Sequence, residues 1–199
     1  MILTYANQLT ILRMIFVPCF VLLVIYGHPR AATLLFVLAG VTDALDGLLA
    51  RALQPKTVLG SYLDPMADKL LLTSAFITLT IPSLHLAAHI PVWLTVTSIS
   101  RDILIALSAL IIHLQTGHSS FPPSLPGKCT TAAQLLTVGF CMLANFVPWA
   151  TAVLFLPSVY ITLFFTVVSG LHYFYRSVRI IEQYQKADGL NGKKRDQNP

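Results

Sequence analysis

Six long apolar stretches, separated by short segments rich in turn residues, run through the 199-residue chain. The stretches cover residues 9–26, 31–50, 60–81, 90–114, 129–147 and 151–175. A stretch of about 20 apolar residues is long enough to span a bilayer as a helix. Only 11% of the residues are charged, whereas soluble proteins carry about a quarter. The pattern predicts an all-α, polytopic membrane protein with six transmembrane helices.

The basic residues are distributed unevenly among the predicted connections. With a cytoplasmic N-terminus, the outer connections hold only Arg30. The residues at or near the cytoplasmic face are then Arg51, Lys56, Lys128, Arg176, Arg179, Lys186, Lys193, Lys194 and Arg195. Cytoplasmic loops carry the excess of lysine and arginine, so both termini are predicted to be cytoplasmic, with the protein integral to the inner (cytoplasmic) membrane. Residues 1–181 are predicted to form the transmembrane catalytic domain, and residues 182–199 a polar, basic tail.

Charge and cysteine content exclude two classes of function. The net charge is +5, but the basic residues form no clustered face with interleaved aromatic residues, so nucleic acid is not an expected partner. The positive charge instead fits membrane lipids. The three cysteines share no C-x-x-C spacing, which argues against a disulfide framework or a zinc site.

Five of the eight acidic residues fall inside apolar stretches, which is costly for ionised carboxylates unless they are paired or bind metal. Asp43 and Asp46 are three residues apart on the second predicted helix, and Asp64 and Asp68 are four apart on the third. Both spacings place a pair on one helical face. A short connection makes these helices antiparallel neighbours, so the four carboxylates are expected to converge on a pocket open to the cytoplasm.

Four carboxylates in one pocket repel each other, and two divalent cations would resolve the conflict. Oxygen ligands suit Mg²⁺ or Mn²⁺. The alternative is a buried ion-pair network, for which too few intramembrane cations are expected. The small residues Gly47 and Ala50 leave room for a bulky ligand beside the acids. Arg51 can bind a phosphate through its planar guanidinium. Gly60 lies at the start of the third predicted helix, where a small residue again lets a ligand approach the backbone closely.

Together these residues read D-x2-D-G-x2-A-R-x8-G-x3-D-x3-D from Asp43 to Asp68. The pattern resembles the signature of the CDP-alcohol phosphatidyltransferases, and the six-helix plan is similar too. The resemblance implies that the four aspartates hold two metal ions that bridge the CDP pyrophosphate, lined by Gly47, Ala50, Arg51 and Gly60. It implies that Asp68 also takes the proton from an acceptor hydroxyl, which attacks the lipid-side phosphorus so that CMP leaves. It further implies a homodimer.

Residues 6–13 resemble the N-x-L-T-x-x-R segment of the phosphatidylglycerophosphate synthase and cardiolipin synthase branches. The resemblance implies that Asn7 and Thr10 contact the nucleotide. Helix capping and headgroup contact are the alternative roles for both residues.

Arg101-Asp102 and the segment from Gly127 to Gln134 also resemble those branches. Arg101 and Lys128 are therefore candidates for binding an anionic acceptor, since phosphate attracts arginine and lysine. In the alternative, Arg101 and Asp102 form a structural pair, and Lys128 serves only to orient the chain in the membrane.

These observations predict an enzyme that transfers the phosphatidyl group of CDP-diacylglycerol to glycerol 3-phosphate. Relatives that use glycerophosphate commonly show Arg-Glu and a second arginine about two turns later on the fourth helix. Here only apolar residues and Ser108 follow Arg101-Asp102, which favours a cardiolipin synthase acting on phosphatidylglycerol. A non-catalytic membrane scaffold is the alternative from another class, and the intact set of four aspartates argues against it.

Overall fold

A computed structural model describes the backbone of residues 5–53, 58–84, 86–116 and 125–195. Side chains are described for residues 11–42, 66–84, 86–112, 114 and 125–180. The chain divides into two compact units.

The described residues form helices and no strands, which confirms the all-α prediction for this part of the chain. Each predicted apolar stretch corresponds to one helix, and the sixth corresponds to α6, a π-helical turn and α7 in succession. In chain order the elements are α1 (Tyr5–Ile25), α2 (Pro29–Leu53), α3 (Val58–Thr80), α4 (Val92–Thr116), α5 (Leu125–Ala144), α6 (Pro148–Ala150), the π-helical turn (Thr151–Phe155) and α7 (Leu156–Arg195).

The turn between α1 and α2 shows how the sequence ends one helix and begins the next. Gly27 adopts a positive φ of 74°, a conformation that glycine reaches without a Cβ clash. The backbone N–H of His28 then donates to the carbonyl oxygen of Leu23 at 2.8 Å, as in a Schellman cap. Pro29 starts α2, where its missing N–H costs no helical hydrogen bond.

The sixth helical stretch is longer than predicted and contains an irregularity. It begins at Pro148 rather than at residue 151, and α7 continues to Arg195 rather than ending near residue 175. At the π-helical turn, the N–H of Leu156 donates to the carbonyl oxygen of Thr151. Pro157 follows directly, and a proline ring clashes with the carbonyl four residues back, so a wider turn fits here. The helix passes through the predicted boundary at residue 181, and the division into a domain and a tail stays a prediction.

The first unit comprises Met1–Thr95 and Gln134–Tyr160. Within it, α1 packs against both α2 and α3. Phe20 of α1 and Phe36 of α2 are buried, and their ring centroids lie 5.9 Å apart. Fully buried apolar side chains continue through α3 and α5, so this unit has an apolar core that holds α3 in place beside α1.

The second unit comprises Val96–Ala133 and Ile161–Pro199. Its described interior is more polar. The hydroxyl of Thr130 on α5 donates to the carbonyl oxygens of both Pro126 and Phe165, at 2.8 and 2.9 Å. Other buried hydroxyls bond to carbonyls one turn earlier on their own helix, as Ser177 does to Tyr173 at 2.8 Å. Such bonds satisfy hydroxyl groups without water.

Among the described residues, Val92–Ile112 and Pro148–Ile180 are long and apolar enough to cross a membrane. The parts of α1 and α2 whose side chains are described form shorter apolar segments, Ile11–Ile25 and Pro29–Thr42. With the family membership established below, these segments indicate a membrane protein. The prediction of six crossings is not confirmed by length and composition in the described part of the chain.

Candidate functional site

Helices α2 and α3 carry the four aspartates of the predicted metal site. The backbones of Asp43 and Asp46 lie in the second half of α2, and those of Asp64 and Asp68 in the first half of α3. Of the four side chains, the structure describes only that of Asp68. The side chains of the other predicted site residues of this region lie outside the described part: Asn7, Thr10, Asp43, Asp46, Gly47, Ala50, Arg51, Gly60 and Asp64.

Asp68 lies where α3 packs against α1. Its carboxylate Oδ1 accepts a hydrogen bond from Nη1 of Arg13, and the two groups form an ion pair. The Arg13 side chain is 4% exposed, whereas that of Asp68 is 40% exposed. A buried guanidinium thus holds one oxygen of a carboxylate whose side chain is partly exposed.

This pair corrects the sequence-based argument against ion pairing, which assumed too few intramembrane cations. The argument is wrong for Asp68, because Arg13 on the neighbouring helix is such a cation. An arginine inside an apolar stretch needs a hydrogen-bond acceptor. The position of Arg13 in the first apolar stretch could therefore have predicted that it pairs with a carboxylate. Sequence alone does not say which helices pack together, so it could not select Asp68 from the available carboxylates. The predicted roles of Asp68 as metal ligand and base stay predictions.

The chemistry of the donor set fits Mg²⁺ or Mn²⁺. Carboxylate oxygens are the ligands these ions take in proteins, and the Asp68 side chain is 40% exposed. Within the described residues, no group of three or more histidine, cysteine, aspartate or glutamate side chains is placed to hold a metal ion. Three of the four candidate ligands fall outside that range.

Arg101, predicted to bind the acceptor, is buried in the second unit with polar partners on two helices. Its Nη1 donates to Oδ1 of Asp102 at 2.9 Å, and its Nη2 donates to the hydroxyl of Ser169 on α7. Its guanidinium carbon lies 5.7 Å from the ring centroid of Tyr173. The contact between Arg101 and Asp102 confirms the alternative prediction that these residues form a pair. Binding of the acceptor by the same guanidinium stays a prediction.

The partners of Arg101 on α7 were missed in the sequence. They belong to a buried polar stripe whose members are three or four residues apart, and which consists of Thr162, Thr166, Ser169, Tyr173 and Ser177. This spacing keeps them on one helical face. These polar residues alternate with aromatic and aliphatic ones, so the segment reads as apolar overall. Their spacing of three or four residues could have predicted a polar face on this helix.

Two buried polar atoms on α4 have no hydrogen-bond partner among the described residues. They are Nε of Arg101 and the hydroxyl oxygen of Ser98, one turn apart on the same helix. Buried polar groups are normally satisfied, so these two atoms are exceptions among the described residues of α4. Lys128, the other predicted acceptor residue, lies in the first turn of α5 with an exposed side chain.

An open cavity of about 460 Å³ in the first unit is lined by residues of the α1–α2 turn, including His28 and Arg30, and by Asn145. The Asn145 amide is already engaged, since its Oδ1 accepts from the N–H of Ala87 at 2.6 Å. Asp43 comes 14 positions after Pro29, roughly 21 Å along α2. This cavity is therefore distinct from the aspartate site.

Comparison with known proteins identifies the family. The family model described as CDP-alcohol phosphatidyltransferase matches residues 3–168, a range that includes the four aspartates, Arg13, Arg101 and Lys128. The chain belongs to the CDP-alcohol phosphatidyltransferase family. It is therefore a phosphatidyltransferase enzyme, and this confirms the family resemblance of the aspartate pattern.

Several named CDP-alcohol phosphatidyltransferases are similar over most of the chain. A probable phosphatidylglycerophosphate synthase of Mycobacterium tuberculosis is 35% identical over 182 residues, covering 88% of this chain and 82% of that protein. A CDP-diacylglycerol–glycerol-3-phosphate 3-phosphatidyltransferase of Haemophilus influenzae is 40% identical over 138 residues, covering 66% and 71%. The human cardiolipin synthase (CMP-forming) is 29% identical over 198 residues, covering 90% and 64%.

Proposed function

We propose that this enzyme transfers the phosphatidyl group of CDP-diacylglycerol to glycerol 3-phosphate and releases CMP. The observation that carries the proposal is the match of the family model across residues 3–168, which contain the full aspartate pattern. The relatives with the higher identities bear names for glycerol 3-phosphate transfer or phosphatidylglycerophosphate synthesis, and their names supply the acceptor.

Asp68 is the residue proposed to act on the acceptor. Its carboxylate takes the proton from the acceptor hydroxyl as the hydroxyl oxygen attacks the phosphorus that bears the diacylglycerol. The bond from that phosphorus to the oxygen of CMP breaks, and CMP leaves with the electron pair. General-base assistance of this kind contributes about 10²–10⁴-fold. The 40% exposure of Asp68 supports this role, because a base must reach its substrate.

Asp43, Asp46, Asp64 and Asp68 would hold two divalent cations, Mg²⁺ or Mn²⁺, which when bound neutralise charge on the attacking and leaving oxygens. Arg51 would bind the CDP pyrophosphate through its planar guanidinium. Gly47, Ala50 and Gly60 would let the nucleotide approach the backbone of α2 and α3, with Asn7 and Thr10 of α1 beside it.

Arg101 and Lys128 are proposed to bind the phosphate of the acceptor. Support comes from the unpartnered Nε of Arg101 and hydroxyl of Ser98, both buried in one face of α4. Hydrogen bonds to charged groups each contribute about 1.5–3 kcal/mol, so these groups would supply a substantial part of the affinity for a phosphate. The exposed Lys128 can attract the anion from solution.

Phosphatidylglycerol is the second candidate acceptor, which would make the enzyme a cardiolipin synthase. The observation that favours it lies on α4, where no second basic residue follows Arg101 within two turns. Asp102 already neutralises part of the charge on Arg101. A site with less free positive charge suits a phosphodiester better than a phosphomonoester.

The acceptor can be identified by measuring CMP release and lipid products from purified protein supplied with CDP-diacylglycerol and Mn²⁺. Glycerol 3-phosphate and phosphatidylglycerol are supplied in separate reactions. The proposal expects CMP release and phosphatidylglycerophosphate only with glycerol 3-phosphate. Cardiolipin from the phosphatidylglycerol reaction alone would replace the first candidate with the second. CMP release with neither acceptor in excess of a no-acceptor control would refute both candidates and would point to another alcohol as the acceptor.

The arrangement in the membrane is also part of the proposal. All six apolar stretches are taken to cross the inner membrane, with the active site and both termini on the cytoplasmic side, where CDP-diacylglycerol and a soluble acceptor meet. The excess of basic residues on that side supports this orientation. The proposed assembly is a homodimer, by analogy with the family.

A further inference from the structure

The ion pair between Arg13 and Asp68 is asymmetric in its exposure. Arg13 lies on α1 with its side chain 4% exposed, while Asp68 on α3 keeps 40% of its side chain exposed. A charge as deeply buried as that of Arg13 needs a hydrogen-bonded counter-ion, because removing a charge from water costs several kcal/mol. The carboxylate is less buried, so its desolvation cost is smaller than that of Arg13.

Helices α1 and α3 already pack together within the first unit, and Phe20 of α1 and Ala67 of α3 are among its buried apolar residues. The Asp68 carboxylate is the more exposed member of the ion pair. The arginine therefore constrains an accessible acid, which is the arrangement expected for a positioned ligand or base.

We propose that Arg13 is a positioning residue that holds the Asp68 carboxylate in the orientation needed to bind a divalent cation. The inference rests on the proposed role of Asp68 as a metal ligand. Arg13 engages Oδ1, and a carboxylate with two oxygens can accept from an arginine and ligate a metal at the same time. Carboxylates that ligate metals are commonly held by such outer hydrogen bonds, and removing the outer partner costs about 10–100-fold in metal affinity or activity.

The test is Mn²⁺ binding to purified protein without substrate, followed by the loss of the free Mn²⁺ signal in electron paramagnetic resonance. Arg13→Gln keeps a hydrogen-bond donor of shorter reach but removes the charge and the fork, and it is expected to weaken Mn²⁺ binding roughly 10–100-fold. Arg13→Lys keeps the charge without the planar fork and is expected to fall between Arg13→Gln and the unchanged protein. Arg179→Gln is the matched control, since Arg179 is exposed on α7 and bonds to Tyr175.

Each result has a defined meaning. Unchanged Mn²⁺ affinity in a folded Arg13→Gln protein would reduce Arg13 to a structural link and overturn the inference. Tighter binding would overturn it as well, because it would mean that Arg13 competes with the metal for Asp68. If Arg13→Gln fails to elute as a folded protein in gel filtration, Arg13→Lys decides, and unchanged affinity in that variant contradicts the proposal.

Asp68→Asn separates this inference from the proposed function. If Asp68→Asn does not weaken Mn²⁺ binding, then Asp68 is not a ligand, and the metal site and the role of Arg13 both fail. If Asp68→Asn weakens binding but the Arg13 variants do not, the metal site stands and only the positioning role is lost. Weakening in both, with Arg179→Gln unchanged, supports the two proposals together.

Discussion

The guanidinium carbon of Arg101 lies 5.7 Å from the ring centroid of Tyr173, so that an arginine of α4 faces an aromatic ring of α7. Both side chains are buried, and Ser169, one turn before Tyr173, accepts a hydrogen bond from the same guanidinium. A desolvated arginine over an aromatic face is stabilised by the ring as well as by its hydrogen bonds. This contact ties α4 to α7 within the second unit.

Substitution of Tyr173 tests the contribution of the ring. Tyr173→Leu removes the aromatic face, whereas Tyr173→Phe keeps it and loses only the hydroxyl. We expect the free energy of unfolding of the leucine variant to be lower than that of the phenylalanine variant by about 0.5–2 kcal/mol. The measurement is an SDS unfolding titration in mixed micelles. Equal destabilisation by the two substitutions would mean that the contact between ring and cation contributes nothing.

Removal of metal is expected to abolish activity. Protein treated with EDTA should lose CMP release from CDP-diacylglycerol, and either Mg²⁺ or Mn²⁺ should restore it. Ca²⁺ should restore little, since it prefers more ligands and a looser geometry. A melting curve recorded with and without EDTA controls for unfolding. Full activity in protein proven free of metal by elemental analysis would rule out the four-aspartate metal site.

The native cysteines offer a test of membrane orientation. Cys129 is exposed beside Lys128 at the start of α5, whereas Cys141 is buried. A membrane-impermeant maleimide should label Cys129 in inside-out vesicles and not in right-side-out vesicles, and Cys129→Ser should remove that signal. Ser83→Cys in the Cys129→Ser background should give the reverse pattern, since Ser83 is exposed after the end of α3. Labelling of Cys129 from the outside would invert the proposed topology.

Much of the fold could be predicted because helix ends depend on local chemistry. Gly27 and Pro29 mark the end of α1 and the start of α2, and both lie in the break between the first two predicted stretches. The extension of α7 to Arg195 could not be found from apolar composition, because its last turns are polar. The π-helical turn before Pro157 was also missed, since a proline in an apolar run does not by itself say whether a helix kinks, widens or ends.

The candidate site was predictable in its residue types but not in its contacts. The aspartate spacing indicated a metal site and the family, and Arg101-Asp102 was recognised as a pair in the sequence. The contact between Arg13 and Asp68 depends on the packing of α1 against α3, and the contact between Arg101 and Ser169 depends on α7 lying beside α4. Contacts between residues 55 and 68 positions apart leave no local pattern in a single sequence.

The central claim is that Asp68 takes the acceptor proton during phosphatidyl transfer. Its most direct test is the kcat for CMP release by Asp68→Asn at saturating Mn²⁺, CDP-diacylglycerol and acceptor, with folding confirmed by gel filtration. Asparagine keeps the shape of the side chain but cannot act as the base, and it is a weaker metal ligand. We predict that kcat falls by about 10²–10⁴-fold or more. A kcat near that of the unchanged protein would show that another group accepts the proton, and would contradict the account.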